Sequence, residues 1–346
     1  MTGLVERLRM QADSCRTAGS PLTADLLAGA AEDLLAGGPT AELLGPLQSD
    51  PPGSVPPLRL AGALHRLVLE RRAPALALHY PSVGGTPGEV WPVARQVVAE
   101  QLEELRPLVA RPVQTNEVGR SAVLYGGLLH AVATWPLPVR LLELGASGGL
   151  NLQVDRFAYQ VAPGTVLGDA SSAVRLKQPW QGALPPQAGL EIVERAGCDP
   201  APLDPASTAD RLTLTSYVWA DQVERFERLR AALTLTARHP IAVEALPASA
   251  FLARELARPR PGVVTVVWHS VVRQYLAPGE RDTVSRLLAE AGDRASADAP
   301  LVHLAMEPEQ FATGEFRFHL SLTSWPGGRT QVLADAQGHG PPVVWR

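Results

Sequence analysis

Where the chain reads LLELGASGGLNL, an acid, a glycine-rich turn and a polar segment follow one another in the order strand, turn, helix. Glu143 stands near the end of the apolar run VRLLELG, which reads as a buried strand. Gly145 lets the chain turn sharply beside a ligand, and Gly149 lets the next helix start close to the strand. An acid in that place can accept a hydrogen bond from a ligand amine or hydroxyl. The open N–H groups of a helix N-terminus can receive a carboxylate. The plainer reading of Glu143 is an acid that caps the helix or pairs with an arginine. The same residues also satisfy G-x-S-x-G, which makes Ser147 a candidate nucleophile with His339 as its base. No strand is read before VRLLELG itself, however, and the nearest stretch to an oxyanion-hole motif is HYPSVGG. After Gly145 the glycine spacing is wrong for the nicotinamide pattern G-x-G-x-x-G.

Further along, His269, Glu307 and Tyr275 are the candidates for proton transfer. His269 closes the apolar strand VVTVVWHS, where it is either a base or a histidine satisfied at a strand end. Trp268 beside it walls a pocket or belongs to the core. Glu307 ends the strand LVHLAMEP, on the edge where parallel sheets take ligands. His303 and Glu307 are four apart and share a strand face, but two ligands do not make a metal site, and no metal is expected. Asn116, Glu117 and Arg120 lie on one helical turn, which by its spacing alone reads as a capped helix with an exposed acid–base pair three apart. Asp221, before the helix ADQVERFERLRAALTLTA, is a ligand-binding acid or an ordinary N-cap.

These residues must be positioned by two kinds of structure. Residues 1–112 read as a helical region, from apolar spacings of three and four in VERLRMQADSCRTA, LTADLLAGAAEDLLAG, LRLAGALHRLVLERR and VWPVARQVVAEQLEELRPLVA. Residues 113–346 read as an α/β domain. It opens with one more helix, TNEVGRSAVLYGGLLHAVATW, followed by the strand VRLLELG. A Pro-rich insertion at about 160–210 holds at most a strand at LEIVE. Then LTLTSYVW, IAVEAL, VVTVVWHS and LVHLAMEP read as strands alternating with helices, and EFRFHLSLTSW and TQVLADA as a closing hairpin. The expected architecture is a doubly wound, mostly parallel sheet of seven strands with a helical N-terminal region.

The first of these motifs resembles the opening motif of class I S-adenosylmethionine-dependent methyltransferases, with Glu143, Gly145 and Gly149 matching and Ser147 at the middle glycine. The resemblance implies a methyltransferase-like Rossmann fold and S-adenosylmethionine as cofactor. Glu143 would hold the methionine amino group. Gly145, Ser147 and Gly149 would face the methionine and ribose, with Asn151 just beyond. Asp221 would hold the ribose, Ala245 in the turn 244–248 would lie beside the adenine, and Trp268 would lie at the methyl-transfer face. Pro247 departs from the family pattern, as does Ser147. His269 or Glu307 would take the acceptor's proton, with Tyr275 a further candidate. The helical region and the insertion would shape the acceptor pocket. A closer resemblance, carried by PVQTNEVGRSAVL, LLELGASGGLNLQVDRFAY, VVWHSVVRQYL, LAMEP, LTSWPGG and HGPPVVW, is to the bacterial domain-of-unknown-function 2332 family, which implies no activity. The resemblance at QTNEVGR suggests that Asn116, Glu117 and Arg120 line a polar pocket. Two other functions stay open: a non-catalytic binding or regulatory module with the same fold, and a serine hydrolase using Ser147.

The bulk composition narrows the partners. The chain has 346 residues, 46% hydrophobic and 19% charged, which suits a globular protein with a sizeable core. A formal charge of −4 disfavours nucleic acid, so a small-molecule acceptor is expected. Two cysteines, no signal-like apolar run at MTGLVERLRMQADSC and no long apolar segment lead to the expectation of a cytoplasmic protein without a membrane span.

Overall fold

A computed structural model describes residues 2–310 and 316–346. Helices α1 (Thr2–Thr17), α2 (Pro21–Leu35), α3 (Pro39–Leu44), α4 (Pro56–Leu69), α5 (Pro74–Ala77), α6 (Val90–Glu100), α7 (Leu102–Val109) and α8 (Ser121–Thr134) come first. Strands β1 (Val139–Leu144), β2 (Ala158–Ala162), β3 (Thr165–Gly168), β4 (Arg175–Lys177), β5 (Trp180–Gln181) and β6 (Ile192–Asp199) follow. Then come α9 (Thr208–Ser216), α10 (Val223–Arg238), β7 (Val243–Ala245), α11 (Ala248–Glu255), β8 (Val264–Ser270) and α12 (Pro278–Asp293). The chain closes with β9 (Leu301–Gln310), β10 (Phe316–Trp325), β11 (Arg329–Gln337) and β12 (Gly340–Trp345). It divides into two compact units: the residues up to Thr115 with Ala206–Arg230, and Asn116–Pro205 with Ala231–Arg346. No helix among the described residues is long and apolar enough to cross a membrane.

In the helical unit, Leu27, Leu34, Leu44, Leu60, Leu64, Leu67 and Leu105 are wholly buried. On α2 and α4 they recur at helical spacing, so each helix turns one apolar face inward. Each such leucine contributes roughly 1.5–3 kcal/mol of burial. Proline opens α2, α3, α4 and α5, where a missing N–H leaves no bond unmade. The segment LTLTSYVW, expected as a strand of the sheet, belongs to this unit and is largely the helix α9. The Ser207 side chain accepts from the Asp210 N–H at its start. Thr213 and Thr215 donate back to the carbonyls of Ala209 and Arg211, at 3.0 and 2.6 Å, so the hydroxyls find partners within the helix. The packing of α9 settles the conformation against its β-branched composition: Arg66 of α4 bonds the Ala209 carbonyl at 2.8 Å and the Thr213 hydroxyl at 2.9 Å.

The second unit is built on one large sheet. Among the described residues it has nine strands, not the expected seven, in the order β5-β12-β11-β10-β9-β8-β1-β6-β7. From β7 to β9 all neighbours are parallel, and β9, β10, β11 and β12 run antiparallel to one another. The second parallel strand is β6, at the end of the Pro-rich insertion. The remainder of the insertion forms the small sheet β3-β2-β4 and the edge strand β5. GPPVVW, not read as a strand, is β12. The expected helix after the glycine turn is a 3₁₀ helix, Leu150–Arg156.

Helices cover both faces of the sheet. Gly127 of α8 lies against Leu304 and Leu320 on one face. Phe251, Leu252, Val284 and Leu288 of α11 and α12 pack with Leu142, Leu144 and Val267 on the other. In register, Glu143 of β1, Trp268 of β8 and Leu304 of β9 align, so Glu143 and Trp268 belong to the α8 face. His269 follows Trp268 and so lies on the α11/α12 face with His303 and Glu307.

Candidate functional site

Strand β1 delivers Glu143 to the C-terminal edge of the sheet, where the strand is buried along its whole length. Glu143 is itself 3% exposed. Burial pushes its pKa up to about 8, the nearby Trp268 indole lowers it, Asp199 raises it and Arg120 lowers it. The indole N–H is near enough to favour the carboxylate but makes no hydrogen bond of normal geometry: Glu143 Oε2 and Trp268 Nε1 are both sealed from solvent without a hydrogen-bond partner. Asn151 repeats the pattern. Its amide nitrogen donates to the Glu117 carbonyl at 3.2 Å, and its Oδ1 is buried without a partner. Native interiors rarely leave such groups unmade, because each costs about 1–3 kcal/mol.

The turn after β1 is held in an uncommon backbone conformation. Gly145, Ser147 and Gly149 have φ of +68°, +52° and +69°. At Ser147 a side chain occupies a region that glycine prefers. Asp199, the last residue of β6, accepts from the Ser147 N–H at 3.0 Å and from the Ala201 N–H at 2.9 Å. At the start of the helical segment after the turn, the Leu150 N–H goes to Asn116 Oδ1 at 3.1 Å and is not open to a ligand carboxylate. At the exit of β8, Val271 has φ of +55°, a strained value for a β-branched residue. A Cβ on Gly145 would run into the Val272 side chain, so the two strand exits touch. Strain at the ends of two adjacent strands is the kind of feature that marks functional sites.

The segment 116–120 fastens this edge. Glu117 accepts from the Gly119 N–H at 2.8 Å and caps the short 3₁₀ turn Val118–Arg120. Arg120 donates to the carbonyl of Ser270 at the end of β8, at 3.2 Å, and to that of Gly338 at 2.9 Å. Gly119 and Gly340 leave no room for a Cβ: one would meet the His339 carbonyl, the other the Gly119 carbonyl. QTNEVGR and HGPP, far apart in sequence, therefore meet at one place.

A second cluster lies on the α11/α12 face. His269 Nδ1 and Glu307 Oε1 are 2.7 Å apart, and the same oxygen accepts from the Val272 and Arg273 N–H groups at 3.0 and 3.3 Å. Burial raises the Glu307 pKa, but His269 and the two amides outweigh it and hold it below the usual carboxylate range. Glu307 Oε2 is buried without a partner. His269 Nε2 faces His303 Nε2 at 3.0 Å. His303 is lowered to about 3, by burial first and then by the positive groups His269 and Arg273.

Of the residues singled out from sequence, Glu143, Gly145, Ser147, Gly149 and Asn151 come together around the end of β1, joined by Asn116, Glu117, Arg120 and Trp268. His269 and Glu307 meet on the other face, so Trp268 and His269 do not form one surface. Tyr275, in the 3₁₀ turn Arg273–Tyr275, is 49% exposed. Ala245 ends β7 in register with Asp199 and is exposed. Asp221 is corrected: it ends no strand, lies in the helical unit, and accepts from Ser20 Oγ and from the Leu22 N–H at 2.5 and 2.9 Å, tying down the start of α2. The acid at the end of the second strand is Asp199. A strand signal existed at LEIVE, but the charges and Gly197 in VERAGCD hid its continuation; a Cβ there would come within 2.8 Å of that of Ala146. His303, Val271 and Val272 were also not expected at the site. Among the described residues no group of three or more His, Cys, Asp or Glu is placed to hold a metal ion.

Fold and site together define an α/β protein with a large mixed sheet and a polar, incompletely satisfied edge where five parallel strands end. The chain belongs to the family described as "Uncharacterized protein conserved in bacteria (DUF2332)", whose model matches residues 5–345. No curated protein and no solved structure matches it significantly.

Proposed function

We propose that the sheet unit binds S-adenosylmethionine and passes its methyl group to a small-molecule acceptor. The observation that carries this reading is Glu143: a buried carboxyl with one oxygen unpartnered, beside a glycine-rich turn at the end of the central strand. With a pKa of about 8 it is mostly neutral at pH 7, and an ammonium against Oε2 would restore its charge. The parallel strands β7-β6-β1-β8-β9 follow the order 3-2-1-4-5 of dinucleotide-binding sheets, whose ligands bind at this edge. Asp199 takes the ribose-holding place first given to Asp221; each of its oxygens keeps a lone pair beyond the backbone bond it accepts. Ala245 would lie beside the adenine, and Asn151 Oδ1 and Trp268 Nε1 would offer an acceptor and a donor. The bound sulfonium supplies an electrophilic methyl group. The protein's tasks are to align the acceptor and remove its proton, and the cluster that contains His269 and Glu307 supplies the base.

Isothermal titration with S-adenosylmethionine and S-adenosylhomocysteine tests this. Micromolar binding, weakened at least tenfold (about 1.4 kcal/mol) in a folded Glu143→Ala variant, is expected. No heat with either ligand, in protein freed of carried-over cofactor, would contradict it. Binding without turnover across amine and hydroxyl acceptors would favour a non-catalytic module. One observation favours a second reading: Ser147 at φ +52° in G-x-S-x-G has the strained turn of a nucleophile elbow. Labelling of Ser147 by a fluorophosphonate would establish the hydrolase, and no labelling would remove it.

A further inference from the structure

His269 is the obvious proton acceptor in the sequence, but both of its ring nitrogens are occupied within the protein. Glu307 Oε1 already receives two backbone N–H groups and holds its negative charge. The His269 Nδ1 facing it therefore carries a hydrogen, which fixes the tautomer. That leaves His269 Nε2 opposite His303 Nε2 at 3.0 Å, and two nitrogens at hydrogen-bond distance share a single proton. When His269 is neutral, His303 must supply that proton, and its own lone pair is then on Nδ1. His303 Nδ1 has no hydrogen-bond partner among the described residues and is not among the sealed atoms, although the ring is crowded.

We propose that Glu307, His269 and His303 form a one-proton relay in which His303 Nδ1, not His269, exchanges protons with the molecule that occupies this face of the sheet. The step balances. An N–H or O–H group of that molecule gives its proton to His303 Nδ1. The proton on His303 Nε2 crosses to His269 Nε2. His303 ends neutral with its hydrogen on Nδ1, and the positive charge ends on His269, paired with Glu307. This explains how a histidine whose surroundings disfavour its own charge can still accept a proton, since the charge does not stay there. The groups facing the pair are Glu307 and His303 on β9, His269 on β8 and Arg273 in the exit turn. His319 of β10, in register with Glu307, is turned to Asp335 at 2.5 Å. His269 and Glu307 are then positioning residues behind His303. The relay goes beyond the proposed cofactor and stands or falls without it.

Nitrogen NMR of the histidine side chains over pH tests the relay without cofactor or acceptor. Eight histidines are present, and His269→Gln and His303→Gln assign the two signals. In the wild type, His303 should switch from the Nε2–H to the Nδ1–H tautomer over the pH range in which His269 becomes imidazolium. In Glu307→Gln, which keeps the shape and removes the charge, the His303 switch should still follow the protonation of His269. A His303 that keeps one tautomer over the whole range in which the protein stays folded overturns the relay. So does a Glu307→Gln variant in which His269 becomes protonated and His303 does not switch. Failure to bind S-adenosylmethionine would leave the relay untouched, and a single His303 tautomer would leave the cofactor reading untouched.

Discussion

Asp33 and Asp221 in the helical unit, and Glu143 and Glu307 at the sheet edge, are carboxylic acids used in opposite ways. Asp33 accepts from the Thr40 N–H at 2.9 Å and from Arg95 at 2.6 Å. Its pKa is pulled below normal because, although burial opposes it, Thr40 and Arg95 favour the charge. Asp221 spends both oxygens on Ser20 and Leu22. At the sheet edge Glu143 and Glu307 each keep one oxygen sealed and unpartnered. A fully paired acid fastens helices together, whereas an acid buried with an oxygen to spare leaves the fold bearing its desolvation, which on the proposed reading a ligand would relieve.

The largest test of that contrast is Glu143→Gln. A carboxyl whose folded pKa rises from 4.5 to about 8 contributes stability that is fully present below pH 4.5 and lost as the pH climbs through 8. The amide variant should match the wild type in urea at pH 4 and exceed it at pH 9, by about 5 kcal/mol at most. Equal midpoints at pH 9 would show that Glu143 has a partner after all. Next in size is Asp33→Ala, which strands the Thr40 amide and should cost about 2 kcal/mol in the same assay with ligand affinity unchanged. Asp221→Ala should lose about 1 kcal/mol and also leave S-adenosylmethionine affinity intact. A tenfold loss of affinity there would return Asp221 to the ligand site. The matching change at Asp199, to alanine, frees the Ser147 amide and should weaken cofactor binding about tenfold, or 1.4 kcal/mol.

Much of the sheet was legible because its strands carry their own punctuation. VRLLELG, VVTVVWHS and LVHLAMEP are short apolar runs separated by helical repeats or glycine turns, and each is a strand. LTLTSYVW misled because threonine, tyrosine and valine suit a strand, while the deciding contacts lie on α4. β6 was obscured because a strand flanked by parallel neighbours needs no alternation, and Gly197 is present for its closeness to Ala146. The site residues were largely legible as types, since the glycine turn and the acid before it are contiguous. Their pairing was not. Trp268 and His269 adjoin in sequence but point to opposite faces, and the partner of His269 is His303, four residues before Glu307 on another strand.

The central claim, that Glu143 is held neutral until a cationic group arrives, is tested most directly by counting protons. Calorimetric titration of S-adenosylmethionine at pH 7 in two buffers of different ionisation enthalpy gives the number exchanged on binding. The account predicts release of close to one proton per ligand, fading as the pH rises past 8 and absent in Glu143→Gln. Binding with no proton release, or release that survives in Glu143→Gln, would contradict it.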